Sequence, residues 1–222
     1  MRFLACALLA ATAPAIEASP ITFNFTGIVT GVGSDDFGLA VDVGTPITGS
    51  YTFNSSASNA NPPGGSASYQ MSGSPYGFTA FISGQNFATS DFLAVNVVNN
   101  NPDDEYGVLA CAGGLSGCSA SADVHLVFNW LLTDSTRTAL GSSALPLTPP
   151  SLAAFQTNFF ELDVLTQSGA YENVQGRITG LALATQATAP EPGAILLFGV
   201  GLSALVFARR RPGRNGRLRT NL

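Results

Sequence analysis

The chain has 222 residues, enough for one or two domains, with 45% hydrophobic residues, only 10% charged ones and a formal charge of −5. Fifteen Phe and five Tyr are spread along it, and that aromatic content excludes a disordered chain. Between Ser19 and Ala189 twelve Asp and Glu stand against only Arg137 and Arg177, a net −10, so the body offers no basic face to displace counterions from phosphate, and nucleic acid is excluded as a partner.

Met1 to Ala18 reads as a secretory signal peptide. Arg2 is the positive n-region, Phe3 to Ala13 a short apolar h-region, and Ala13-Pro14-Ala15 or Ile16-Glu17-Ala18 supplies small residues before a cut. Leu4-Ala5-Cys6 has lipobox-like residues but no apolar stretch before it, so Cys6 is read as leaving with the signal.

Residues 19–184 form the body, in which apolar and polar residues alternate with period two. Ile21, Phe23 and Phe25 alternate with Thr22, Asn24 and Thr26, and Gly27 then breaks the phase as a bulge would. Ile47, Gly49, Tyr51 and Phe53 make a second row. Further strands are predicted at Phe78 to Ile82, Phe92 to Val98, Tyr106 to Ala110, Val124 to Leu132, Phe159 to Thr166 and Val174 to Leu183. Gly, Pro, Asn and Asp clusters separate them, and the only helical turn, Pro149 to Phe155, is too short for a crossover. Eight or nine strands without crossover helices predict an all-β, antiparallel sandwich, jelly-roll-like.

Residues 185–189 read as a linker, and 190–222 as a tail. Gly193 to Ala208 is sixteen residues without a charge. At ~1.5 Å per residue it extends roughly 24 Å, a short transmembrane helix that snorkelling arginines can lengthen. Arg209-Arg210-Arg211 follows directly and marks 209–222 as the cytoplasmic end, with the body outside.

Pro190-Glu191-Pro192-Gly193, then the Gly-rich apolar span, then Arg209-Arg210-Arg211 resembles the PEP-CTERM sorting signal, over about 23 residues. The resemblance implies recognition by an exosortase-type membrane transpeptidase, cleavage near the tripeptide, and association with exopolysaccharide. It implies a route from membrane anchorage to the cell surface or extracellular matrix. The same tail also carries the label of an ice-binding protein C-terminus, which implies sorting and not ice contact. Ile21 to Gly27, Gly49 to Phe53 and Ala144 to Pro150 are similar to bodies borne on such tails, a kinship that implies no activity.

Within the body, Cys111 and Cys118 are the only cysteines left after signal removal, and a flexible Gly-rich segment joins them. Outside the cytoplasm they predict a disulfide; a zinc site needs about four ligands, and no second Cys pair or His cluster exists. Asp103, Asp104 and Glu105 are a candidate calcium set, beside the competing and preferred reading of a solvated Asx–Pro turn. Asp35-Asp36 is a weaker candidate of the same kind. No cofactor is otherwise expected.

His125, the sole histidine, is predicted on the strand face opposite Val124, Leu126, Phe128 and Trp130, and no Gly-x-Ser-x-Gly elbow accompanies it. Glu161 and Asp163 share one strand face at a spacing open to a retaining glycosidase pair and closed to an inverting one. Trp130 is predicted in the core, with Tyr69, Tyr76 and Tyr106 as exposed rings for stacking on sugars. Ice binding would want regular Thr-x-Thr ranks on a flat face, and only Thr136-Arg137-Thr138 has that spacing. No catalytic set assembles, so the expected role is a non-catalytic surface or matrix protein; a carboxylate-dependent hydrolase and a simple single-span membrane protein are the alternatives.

Overall fold

The structure is a computed structural model that describes residues 19–36, 40–61, 64–113, 118, 125–165 and 169–185. The expected signal peptide, most of the expected linker, and the tail with its expected span lie outside the described residues. The chain divides into units Met1–Ala184 and Thr185–Leu222, and every described strand belongs to the first.

Ten strands run β1 Pro20–Asp35, β2 Pro46–Asn54, β3 Ser66–Met71, β4 Gly77–Ile82, β5 Gln85–Thr89, β6 Phe92–Val98, β7 Asp104–Cys111, β8 His125–Asp134, β9 Thr157–Leu165 and β10 Tyr171–Leu183. All pairings are antiparallel, so the all-β antiparallel class is present. The strands form one hydrogen-bonded sheet in the order β3-β6-β7-β8-β9-β10-β1-β2-β4-β5, curled so that its two halves share one core. β6 to β10 run as a meander, while the β2–β3, β3–β4 and β5–β6 connections each cross from one half to the other.

Alternation decides which side chains turn inward. In β4, Phe78, Ala80 and Ile82 are buried while Thr79 and Phe81 face out. The inner faces meet through aromatic rings. Phe128 of β8 stacks on Phe25 of β1, on Phe78 of β4 and on Phe160 of β9, with centroids 5.7, 4.1 and 5.9 Å away. Gly49 sits in the inner row of β2 because a Cβ there would run into the Phe25 ring and the Thr79 carbonyl. Trp130 is fully buried; its indole N–H donates to Asn158 Oδ1 at 3.1 Å. That same Asn158 accepts from the Ile178 N–H and donates to the Ile178 carbonyl, replacing ladder bonds where β9–β10 pairing stops at Gly176.

β1 is far longer than the Ile21 to Thr26 run, and the expected break at Gly27 coincides with a register shift between Thr26 and Gly27 against β10. β3 and β5 were not among the predicted strands. β5 turns only Phe87 and Thr89 inward, too few apolar residues to announce a strand. The helical turn is smaller than expected, a 3-10 helix at Leu152–Ala154 within the long β8–β9 connection.

Candidate functional site

The Asp103-Asp104-Glu105 run enters β7, where alternation divides it. Asp104 is buried and its neighbours half-buried on the other face. The Asp104 carboxylate accepts from the Asn100 and Leu140 N–H groups, both at 2.9 Å. Across the ladder, buried Asp134 accepts from the Thr136 hydroxyl at 2.6 Å and from the Thr136, Thr138 and Ala139 N–H groups at 2.9 to 3.1 Å. Those bonds, led by the Thr136 hydroxyl, hold the Asp134 carboxyl far below the usual carboxylate range. Both carboxylates thus fasten the start of the β8–β9 connection, and Thr136 and Thr138 serve Asp134 instead of forming a rank. Among the described residues no group of three or more His, Cys, Asp or Glu side chains is gathered for a metal.

Glu161 and Asp163 lie on the outer face of β9, opposite Gln175 and Asn173 of β10. The Asn173 amide donates to Glu161 Oε1 at 3.0 Å and to Asp163 Oδ1 at 2.5 Å, and the Gln175 amide also donates to Glu161, at 3.0 Å. A shared amide therefore brings the two carboxylates together on the sheet surface.

Cys111 and Cys118 are joined by a disulfide with the Cα atoms 5.2 Å apart. Cys111, Phe92 and Ala94 are buried on the outer side of their strands, with Leu109, Cys118 and Val127 packed against them, a small second core. This explains why β6 reads as a nearly continuous apolar run. His125 begins β8, opposite Leu165, and its side chain lies outside the described residues, as does that of Asp35.

The tyrosines correct one expectation. Tyr106 is fully buried and its hydroxyl meets that of Tyr51 at 2.8 Å, where burial pushes both phenols well above their usual range. Tyr69 is buried, with its hydroxyl donating to the Ser143 carbonyl at 2.9 Å. Of the three rings proposed for stacking, only Tyr76 keeps a half-exposed face.

Tyr76 borders an open groove of about 350 Å³ between β2, β4 and β5. Pro75, Ser50, Thr52, Thr79 and Ser90 are among its lining residues, and no charged side chain lines it. Ser50 and Thr79 pair their hydroxyls at 2.9 Å across β2 and β4, and Thr52 pairs with Thr22 of β1 at 2.8 Å. Sequence reasoning missed this face. The signal was present in Thr48, Ser50 and Thr52, the polar phase of β2, but Thr79 joins them only through the register and Tyr76 only through the turn before β4.

The sequence profile of the PEP-CTERM protein-sorting motif matches residues 188–211. This chain carries that motif. It spans Pro190, Glu191, Pro192 and Gly193 as well as Arg209, Arg210 and Arg211, all outside the described residues. The PEP-CTERM motif supports export through an exosortase-type sorting system and implies membrane-anchored sorting before processing to the cell surface. No curated protein and no solved structure matches the chain.

Proposed function

We propose that the protein is a non-catalytic surface or extracellular-matrix component associated with exopolysaccharide. Signal peptide 1–18 takes it through the inner membrane, the span 193–208 holds it there, and an exosortase-type transpeptidase then releases a jelly-roll-like sandwich body, 19–184. The PEP-CTERM match at residues 188–211 carries this reading. No cofactor takes part. Calcium at Asp103, Asp104 and Glu105 is set aside because N–H donors already occupy the buried Asp104 oxygens.

The chemistry of the tail supports processing over simple anchorage. Pro192 disfavours helical geometry at Glu191, which favours a tripeptide whose peptide bonds a membrane enzyme could read. Replacing Pro190, Glu191 and Pro192 together by Ala is expected to leave export and insertion intact and to block removal of the arginine tail. The measurement compares membrane-bound and processed forms of the tagged chain in a host with an exosortase. Equal processing of the triple variant, or none of the wild type, would leave a single-span membrane protein. The shared Asn173 amide between Glu161 and Asp163 is what favours the second reading, a hydrolase acting on matrix polysaccharide. Glu161→Gln should then abolish release of reducing sugar from that polymer, and no release by the wild type removes the reading.

A further inference from the structure

We propose that the groove between β2, β4 and β5 docks a segment of an uncharged polysaccharide chain, an inference that rests on the glycan-associated reading above and assigns it a place. A sugar hydroxyl both donates and accepts, so its best partners do the same. Each hydroxyl pair here, Ser50–Thr79 and Thr22–Thr52, uses one donor and one acceptor between its members. One O–H and three lone pairs per pair remain for a ligand. The pairs stand in register across β1, β2 and β4, extending the hydroxyl surface beyond the groove itself.

The walls fit the apolar faces of a sugar ring. Pro75 and the half-exposed Tyr76 supply ring surfaces beside the Ser and Thr hydroxyls, and the volume falls among ligand clefts of ~300–1,000 Å³. The groove is open, which suits a polymer lying across it and not a small molecule enclosed by it.

Charge selects the class. No carboxylate or arginine lines the groove, and the body around it carries a net −10 between Ser19 and Ala189, which repels a polyanion at long range. A neutral chain is attracted by neither sign and rejected by neither. One site holds it weakly; many copies of the protein along one polymer hold it by multivalency.

The test is affinity electrophoresis of the full chain in mild detergent, through gels containing dextran, laminarin, galactomannan or the anionic polymer alginate. Wild type is expected to be retarded by at least one neutral polymer and not by alginate. Tyr76→Ala, and separately Ser50→Ala with Thr52→Val and Thr79→Val, should each weaken retardation about tenfold, the loss expected of an anchoring contact. Thr157→Val, an exposed hydroxyl on β9, should bind as wild type does, and thermal melting identifies any variant that has not folded. Undiminished binding by both folded groove variants overturns the location and leaves glycan association standing. Retardation by alginate alone overturns the ligand class. Retardation of wild type by none of the four overturns the glycan reading together with this inference.

Discussion

The two halves of the sheet are alike inside and unlike outside. Inside, each contributes rings to one stack: Phe25 and Phe78 from β1 and β4, Phe128 and Phe160 from β8 and β9. Outside, β1, β2 and β4 present small paired hydroxyls, while β6 to β9 carry carboxylates, a disulfide-bound second core and the exposed pair Leu131 and Phe159. A shared interior fixes the shape of both halves, so their outer faces were free to diverge.

The likeness inside is tested most severely at Phe128. Phe128→Ala removes a ring that touches both halves and should cost about 3–5 kcal/mol, seen as a lower denaturant midpoint. One cooperative transition should persist; two separated transitions would mean that the halves are not one core. The unlikeness outside is sharpened at the disulfide. Cys111→Ser with Cys118→Ser frees an eight-residue loop and should cost about 2.5 kcal/mol from loop entropy. A loss near zero would show that packing of Phe92 and Ala94 holds that face unaided.

The smallest change at neutral pH comes from protons. Asp134 has a folded-state pKa below its unfolded value of about 3.9, so its contribution is complete above about pH 5 and fades as pH falls toward the folded value. Melting temperature should hold from pH 7 to about 5 and then decline. Asp134→Asn should start lower and lose less between about pH 5 and 2; parallel curves would assign the acid limb to other groups.

Much of the interior was legible because inward residues repeat with period two. Phe23, Phe25, Tyr51, Phe53, Phe128 and Trp130 are all buried on that rule. Tyr106 is in phase with buried Val108 and Ala110 on that same rule; reading its phenol as an exposed stacking ring is what misplaced it, and its partner Tyr51 reaches it across the core from a strand it does not pair with. β3 was illegible because Ser66, Ala67 and Ser68 open it without a large side chain. The groove was harder still: its residues come from three strands and the turn before β4, and only pairing in space unites them. Asp104 read in sequence as part of a solvated turn, with calcium the weaker alternative, whereas the fold buries it and aims N–H groups at it from Asn100 and distant Leu140.

One of the two neighbours of β1 is β10, and Thr26 and Thr179 touch across 153 positions of sequence. A chain emerging from a narrow channel, amino end first, would hold β1 waiting on one side until nearly the whole body had passed. β10 ends at Leu183, seven residues before Pro190 opens the tripeptide. Completion of the sheet and arrival of the sorting motif therefore fall at almost the same moment of translocation. Any cut near Pro190 therefore leaves on the body side the whole strand that completes the pairing of β1.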